Sequence, residues 1–252
     1  MSDLTDSLIA HWKMNDVAGQ TTVLDNTENN NDGTSAANIV STTGKINEAI
    51  VFDGTNDYVD TGDTFQSTFR DSFLISMWIK VTDGQVEGGQ HLFSVTQDAN
   101  NHLYCYIHAN GSLGLFYKAG GNEAQLLTKS VLFLDGENPW RNVSFVADST
   151  TAGVGGLKIY FDGVLQEANA VSVGDTTDVV FSNYTVSTYD MNIGRLNALS
   201  PSGYFGGSLD DVRIYNKALS QSEVSAIYND GNGTEILSEM ECSRRQLRKR
   251  RC

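Results

Sequence analysis

Apolar and polar residues alternate along most of this chain in short runs separated by Gly, Asn and Asp. Such a period of two marks strands with one face buried. It predicts strands over residues 8–13, 49–53, 58–61, 73–81, 92–96, 103–109, 112–118, 140–147, 157–161, 191–194 and 209–215. Within 102–108 it sets His102, Tyr104, Tyr106 and His108 on one face and Leu103, Cys105 and Ile107 on the other. Asn110-Gly111 follows, a dipeptide favoured where both turn positions need positive φ. A two-residue turn there pairs Tyr106 with Leu115 and His108 with Leu113, which gives the tyrosine face a partly core-like character. A sugar platform and a plain packing face are both open for these rings, with packing favoured.

The last strand runs into the one clear helical pattern. Leu209, Val212 and Ile214 mark the strand. Ser220 and Glu223 have capping-box spacing, and Val224, Ile227 and Tyr228 form one buried stripe. Gly231, Asn232 and Gly233 supply the stop. Many short strands, Gly/Asn turns, one short C-terminal helix and no fixed repeat predict an all-β chain. The expected arrangement is a two-sheet antiparallel sandwich.

Composition sharpens this picture. The 252 residues are 40% hydrophobic and 19% charged, a balance that suits a folded body. Six of the 17 basic residues lie in 244–251, leaving eleven against 31 acidic before them, a net charge of −20. That body repels nucleic acid and anionic membranes and attracts cations. The division expected is one domain over 1–233 and a basic, flexible tail over 234–252. The tail offers only weak, nonspecific affinity for polyanions. No run is long enough to span a membrane, and the opening residues lack the basic start and apolar stretch of a signal peptide. Three readings fit: retention where the chain is made, release without a signal as for a virion protein freed by lysis, or origin in a longer chain. Cys105 is expected as a small buried thiol, while Cys242 and Cys252 flank the tail.

Calcium is the first candidate chemistry, because it takes six to eight oxygen ligands. Three distant segments offer them: Asn15 and Asp16, the Asp53-Gly54 turn, and Asp210 with Asp211. The competing reading is that Asp210 and Asp211 cap backbone amides or pair with Arg213 and Lys217. The loop Asp25-Asn-Thr-Glu-Asn-Asn-Asn-Asp32 lacks EF-hand spacing and reads as a surface turn whose side chains bond their own backbone. No serine-hydrolase, zinc-protease or phosphate-loop motif is present, which favours binding over catalysis.

Several stretches, taken in order, carry a family resemblance. Leu8-Ile-Ala-His-Trp-Lys-Met-Asn-Asp16 resembles the opening strand of laminin-G-like, concanavalin A-like jelly rolls, and the 24–34 loop resembles their "D-x-S-G-N-x-N-x-G-T". Ala49-Ile-Val-Phe-Asp-Gly-Thr-Asn-Asp-Tyr-Val59 is similar to "A-L-x-F-D-G-x-x-D-Y-V". Trp140-Arg-Asn-Val-Ser-Phe-Val146 with Leu157-Lys-Ile-Tyr-Phe-Asp-Gly163 resembles a further strand pair, and 206–224 resembles the family ending "G-x-I-D-D-V-R-I-Y-N-x-A-L-S-x-x-E-I". The resemblance implies a concanavalin A-like jelly roll. It also implies a structural calcium joining the start of the domain, a glycine turn and a closing-strand aspartate, which Asp210 matches. The pentraxin-type site is in doubt, since Ile193-Gly-Arg-Leu-Asn-Ala-Leu-Ser200 has Arg195 and no carboxylate. The Glu-x-Asp-x-x-Glu strand of the hydrolase relatives is also missing.

The function these observations lead to is a non-catalytic binding or adhesion module for a glycan or cell-surface polysaccharide, supported by calcium. Its expected place is outside the cell or on a virion surface. The alternative is a phage decoration or fibre component that uses the jelly roll to join a protein partner in a larger assembly. A glycoside-active enzyme ranks third.

Overall fold

A computed structural model describes residues 4–235 apart from 152, 171–178, 187 and 199. Its strands in chain order are β1 (Leu8–Trp12), β2 (Thr22–Val23), β3 (Gly33–Ser35), β4 (Ser41–Thr43), β5 (Glu48–Asp53) and β6 (Val59–Asp60). Then come β7 (Phe73–Val81), β8 (Gln90–Asp98), β9 (Asn101–Ile107), β10 (Leu113–Ala119), β11 (Asn122–Thr128) and β12 (Arg141–Ala147). The remainder are β13 (Leu157–Phe161), β14 (Val164–Leu165), β15 (Ala168–Ala170), β16 (Asn192–Ile193) and β17 (Gly206–Tyr215). The helices are α1 (Gln66–Phe69) and α2 (Gln221–Tyr228).

The strands form two antiparallel sheets. One runs β14-β13-β12-β7-β17-β5-β4, with β1 also on β17; the other runs β15-β11-β10-β9-β8-β16-β6-β3-β2. Their inner faces share one core. Phe73, Ile75, Met77 and Ile79 of β7 are buried in it, as are Leu103, Cys105 and Ile107 of β9. The expected buried thiol at Cys105 is therefore present, and burial pushes its pKa well up.

Strand β17 changes partner midway. Residues 206–209 pair with β5 and 212–215 pair with β1 along the same edge. At the changeover its register against β7 slips between Asp210 and Arg213, and Asp211 takes φ 54°. A bulge there turns the strand from one neighbour to the next. Asp and Asn tolerate this left-handed conformation better than most residues do.

Helix α2 covers a smaller core on the outer face of the first sheet, made by Leu74, Val146, Tyr160, Tyr215, Val224 and Ile227. Its capping box forms as expected: Glu223 N–H donates to Ser220 Oγ, and Ser220 N–H donates to Glu223 Oε2 at 2.8 Å. The stop comes earlier than the glycines predict, because Asn229 is already left-handed at φ 50°. Tyr228 stacks on Trp78 at 5.7 Å, whose other approach is taken by Lys45 at 5.0 Å. Ser220→Ala should cost about 1 kcal/mol. Denaturant midpoints check it, and an unchanged midpoint would mean that the cap does not help hold α2 in place.

Candidate functional site

The outward face of β8–β11 gathers a plate of rings. Register sets Tyr104 opposite Phe116, His102 opposite Lys118 and Tyr106 opposite Gly114. This corrects the pairing expected from the turn. His108 and Ser112 close a loop of three residues rather than two, with Gly111 at φ 80°. The one-residue difference puts Leu113 and Leu115 opposite Ile107 and Cys105, on the core side. The tyrosine face is therefore an outer face.

Tyr104 and Phe116 stack at 4.7 Å with ring planes 2° apart, so each gives one ring face to the other. His91 meets Tyr104 at 5.2 Å and Tyr106 at 5.7 Å, His102 meets Phe116 at 5.7 Å, and Tyr106 meets His108 at 6.3 Å. His102, Tyr104 and Phe116 are half-buried and His108 is exposed. Rings with polar tips combine apolar contact with hydrogen bonding. Gln125 of β11 donates to the Tyr106 hydroxyl at 2.6 Å, and Lys118 pairs with Glu123 at 3.2 Å.

Sequence reasoning missed β11, His91 and Phe116. The Gly120-Gly121 turn, both residues at positive φ, is the hairpin signal that could have revealed β11.

The β8 side of the plate is walled. Asn197 N–H donates to Ser94 Oγ at 2.6 Å, and Ser94 Oγ donates to the Arg195 carbonyl at 2.9 Å. Gly203 lies so close that a Cβ there would stand 2.3 Å from His91 Nδ1. Burial lowers the His91 pKa to about 4 and also lowers that of His102, so both imidazoles are neutral at pH 7.

The six residues expected to hold calcium do not gather into one set. Asp53 is exposed and caps its own turn, accepting from the N–H groups of Thr55 and Asn56 at 2.8 and 3.0 Å. These bonds hold its carboxyl below the usual range. Gly54 packs beside Gly206 at the start of β17, away from the bulge. Asp16 accepts from Leu24 N–H at 3.0 Å. Asn15 bridges, donating to Glu235 at 2.5 Å and accepting from Glu48 N–H at 2.8 Å.

Asp210 and Asp211 do take backbone and Arg213 partners. Asp210 Oδ2 accepts from Ile46 N–H at 2.8 Å, while its fully buried Oδ1 has no protein partner. Burial raises its pKa to about 8, with Asp211 and Glu235 adding to the rise. Asp211 Oδ1 accepts from His11 Nε2 at 2.6 Å and from Arg213 at 2.8 and 3.0 Å. Lys217 pairs instead with Glu223 at 2.7 Å. Among the described residues, no three His, Cys, Asp or Glu side chains converge as a metal-binding group. Among the described residues, the buried carboxylate oxygens Asp210 Oδ1 and Asp211 Oδ2 lack a protein partner, and Glu235 lies close enough to Asp210 to add to its pKa rise.

The Asn-rich loop behaves as its residues predict. Asp25 accepts from the N–H groups of Thr27 and Asn31, and Asn29 and Asn31 donate to the Ile9 carbonyl. The basic run, Cys242 and Cys252 lie outside the described residues. Among the described residues, no helix is long and apolar enough to cross a membrane.

A family model described as the concanavalin A-like lectin/glucanases superfamily matches residues 53–225. No curated protein matches the sequence. Among solved structures, domain 4 of AbnA, an extracellular arabinanase from Geobacillus stearothermophilus in complex with arabinotriose, is similar. It is 21% identical, with coverage of 87% of this chain and 97% of that one and a TM-score of 0.57. The binding domain of Paraclostridial Mosquitocidal Protein 1 is 15% identical with a TM-score of 0.63, covering 90% and 53% of the two chains. The binding domain of botulinum neurotoxin DC in complex with SialylT is 14% identical with a TM-score of 0.59, covering 94% and 53%. This chain thus spans about half the length of the toxin domains.

Proposed function

The chain belongs to the concanavalin A-like lectin/glucanase superfamily, and on that footing we propose that it is a non-catalytic carbohydrate-binding module. Its ligand would be a glycan of a cell surface or an extracellular polysaccharide. The observation that carries the reading is the plate of His91, His102, Tyr104, Tyr106, His108 and Phe116 on an outer sheet face. A single sheet face that combines ring edges, phenol hydroxyls, imidazoles and the Gln125 amide suits a polyhydroxylated ligand. The sugar-bound state of the arabinanase domain supports the class of ligand and says nothing of which sugar.

A glycan array with the native chain and Tyr104→Ala tests this. Binding to at least one glycan, weakened about tenfold by the substitution at unchanged melting temperature, is expected. Equal binding by both proteins would remove the platform from the proposal. A defined oligomer with no glycan binding would instead favour the assembly role, on a virion or elsewhere.

Calcium is a separate part of the proposal, now confined to Asp210, with Glu235 close by. A cation there would keep the buried carboxylate charged and satisfy its free oxygen. EDTA should lower the melting temperature at pH 7.5, and calcium should restore it. Identical melts would remove calcium and leave the glycan reading standing.

A further inference from the structure

The charge and reach of the ring plate limit what it can hold. Lys118 is the cation at its floor, and Glu123 already neutralises it at 3.2 Å; both side chains are mostly buried, at 20% and 13% exposure. Arg195 lies beyond β8, its guanidinium 3.3 Å over the Tyr58 ring and its Nε donating to Asn192 Oδ1 at 2.7 Å. Asp98, at the turn joining β8 to β9, adds a negative charge near His102. The half-buried imidazole of His102 has a lowered pKa and offers hydrogen bonds rather than positive charge, while His91 is buried beneath Gly203. The contacts open to a ligand are therefore uncharged donors and acceptors.

The shape is elongated. His102, Tyr104, Tyr106 and His108 recur at every second residue along β9 and the residue beyond it, a span of about 20 Å at strand rise. The wall over β8, formed by residues 195–197 and 203, bounds one long side. The opposite side is β11 with Glu123 and Gln125. A single sugar ring would touch only part of this strip.

We propose that the ligand is an extended, uncharged oligosaccharide chain lying along β9, and that Glu123 excludes acidic sugars. This rests on the glycan reading above and names its ligand class. A carboxylate-bearing sugar would meet Glu123 and Asp98, with Lys118 already paired to Glu123 and Arg195 held over Tyr58 and bonded to Asn192 beyond β8, and like charges at short range in a half-buried site oppose binding. A neutral chain would gain contacts with each added unit until the strip is filled.

Affinities of the native chain, Tyr104→Ala and Glu123→Gln are to be measured by calorimetry. The probes are cello-, galacto- and arabino-oligosaccharides of one to six units, with oligogalacturonides of matched length. Binding of one neutral series should tighten with length and level off near four units. The acidic series should bind about tenfold more weakly, and Glu123→Gln should recover most of that difference. Acidic chains that bind best, or affinity that does not grow with length, would overturn this inference while the plate, shown by loss in Tyr104→Ala, still stood. Binding unchanged by Tyr104→Ala would instead overturn the glycan reading of this face.

Discussion

Replacing Asp210 by asparagine is expected to stabilise the calcium-free protein above neutral pH. Asp210 is fully buried, and burial moves its pKa from 3.8 to about 8. Between those values the folded chain holds a proton that the unfolded chain has released. Stability therefore falls as pH rises through that window, by about 1.4 kcal/mol per unit and at most about 6 kcal/mol in all. His91 acts in the opposite direction on the acid side. Its pKa falls from 6.5 to about 4, so its contribution is lost as pH drops through that range. The two slopes oppose each other between pH 4 and 6.5, and above 6.5 the Asp210 slope remains. In EDTA the melting temperature of the native chain should decline from pH 6.5 to 8.5. That of Asp210→Asn should stay nearly flat and exceed the native value at pH 8.5, while the two should converge only towards pH 4. Parallel curves would show that Asp210 is not the group responsible. The calcium response proposed above should also vanish in this variant.

Asp211→Asn should be the most damaging single change on the outer face of the first sheet. Asp211 and Arg213 are 1% and 0% exposed, and His11, at 1%, shares the same carboxylate oxygen. Arg213 also donates to the Thr234 carbonyl, so the ion pair anchors the segment after α2. Asparagine tolerates the left-handed backbone at this position, so the loss reports the charge rather than the bulge. Removing one partner leaves a guanidinium buried without its counter-charge, at about 3–5 kcal/mol. Arg213→Met should cost a similar amount, and the double variant far less than the two together. Urea titrations of the cycle measure this. Additivity within about 0.5 kcal/mol would mean that the pair is not coupled.

Much of the sandwich is legible from local pattern. Long strands with strict alternation stand out, and β7 and β13 match the predicted spans at both ends. The capping box is legible because its parts sit three residues apart. The two-residue strands β6 and β16 fall inside the predicted spans 58–61 and 191–194, whereas β2 and β14 are too short to show a period, so only neighbouring strands define them.

The candidate site is half legible for a related reason. Alternation assigns the face of Tyr104 correctly, but register depends on whether the turn after His108 takes two or three residues. The contributions of His91 and Phe116 are cross-strand facts. So is the meeting of β1 and β5 on one edge of β17, which creates the bulge at Asp210 and Asp211. Asp53, grouped by sequence with that pair, instead faces its own turn beside Gly206.

The most direct test is an aromatic NMR titration with whichever glycan the array binds best. The expected result is shifts concentrated on the rings of His102, Tyr104, Tyr106 and Phe116, with those of Trp12, Trp78 and Tyr228 unmoved. Shifts on the latter group, with the β9–β10 rings silent, would contradict the assignment of this face as the sugar-holding surface.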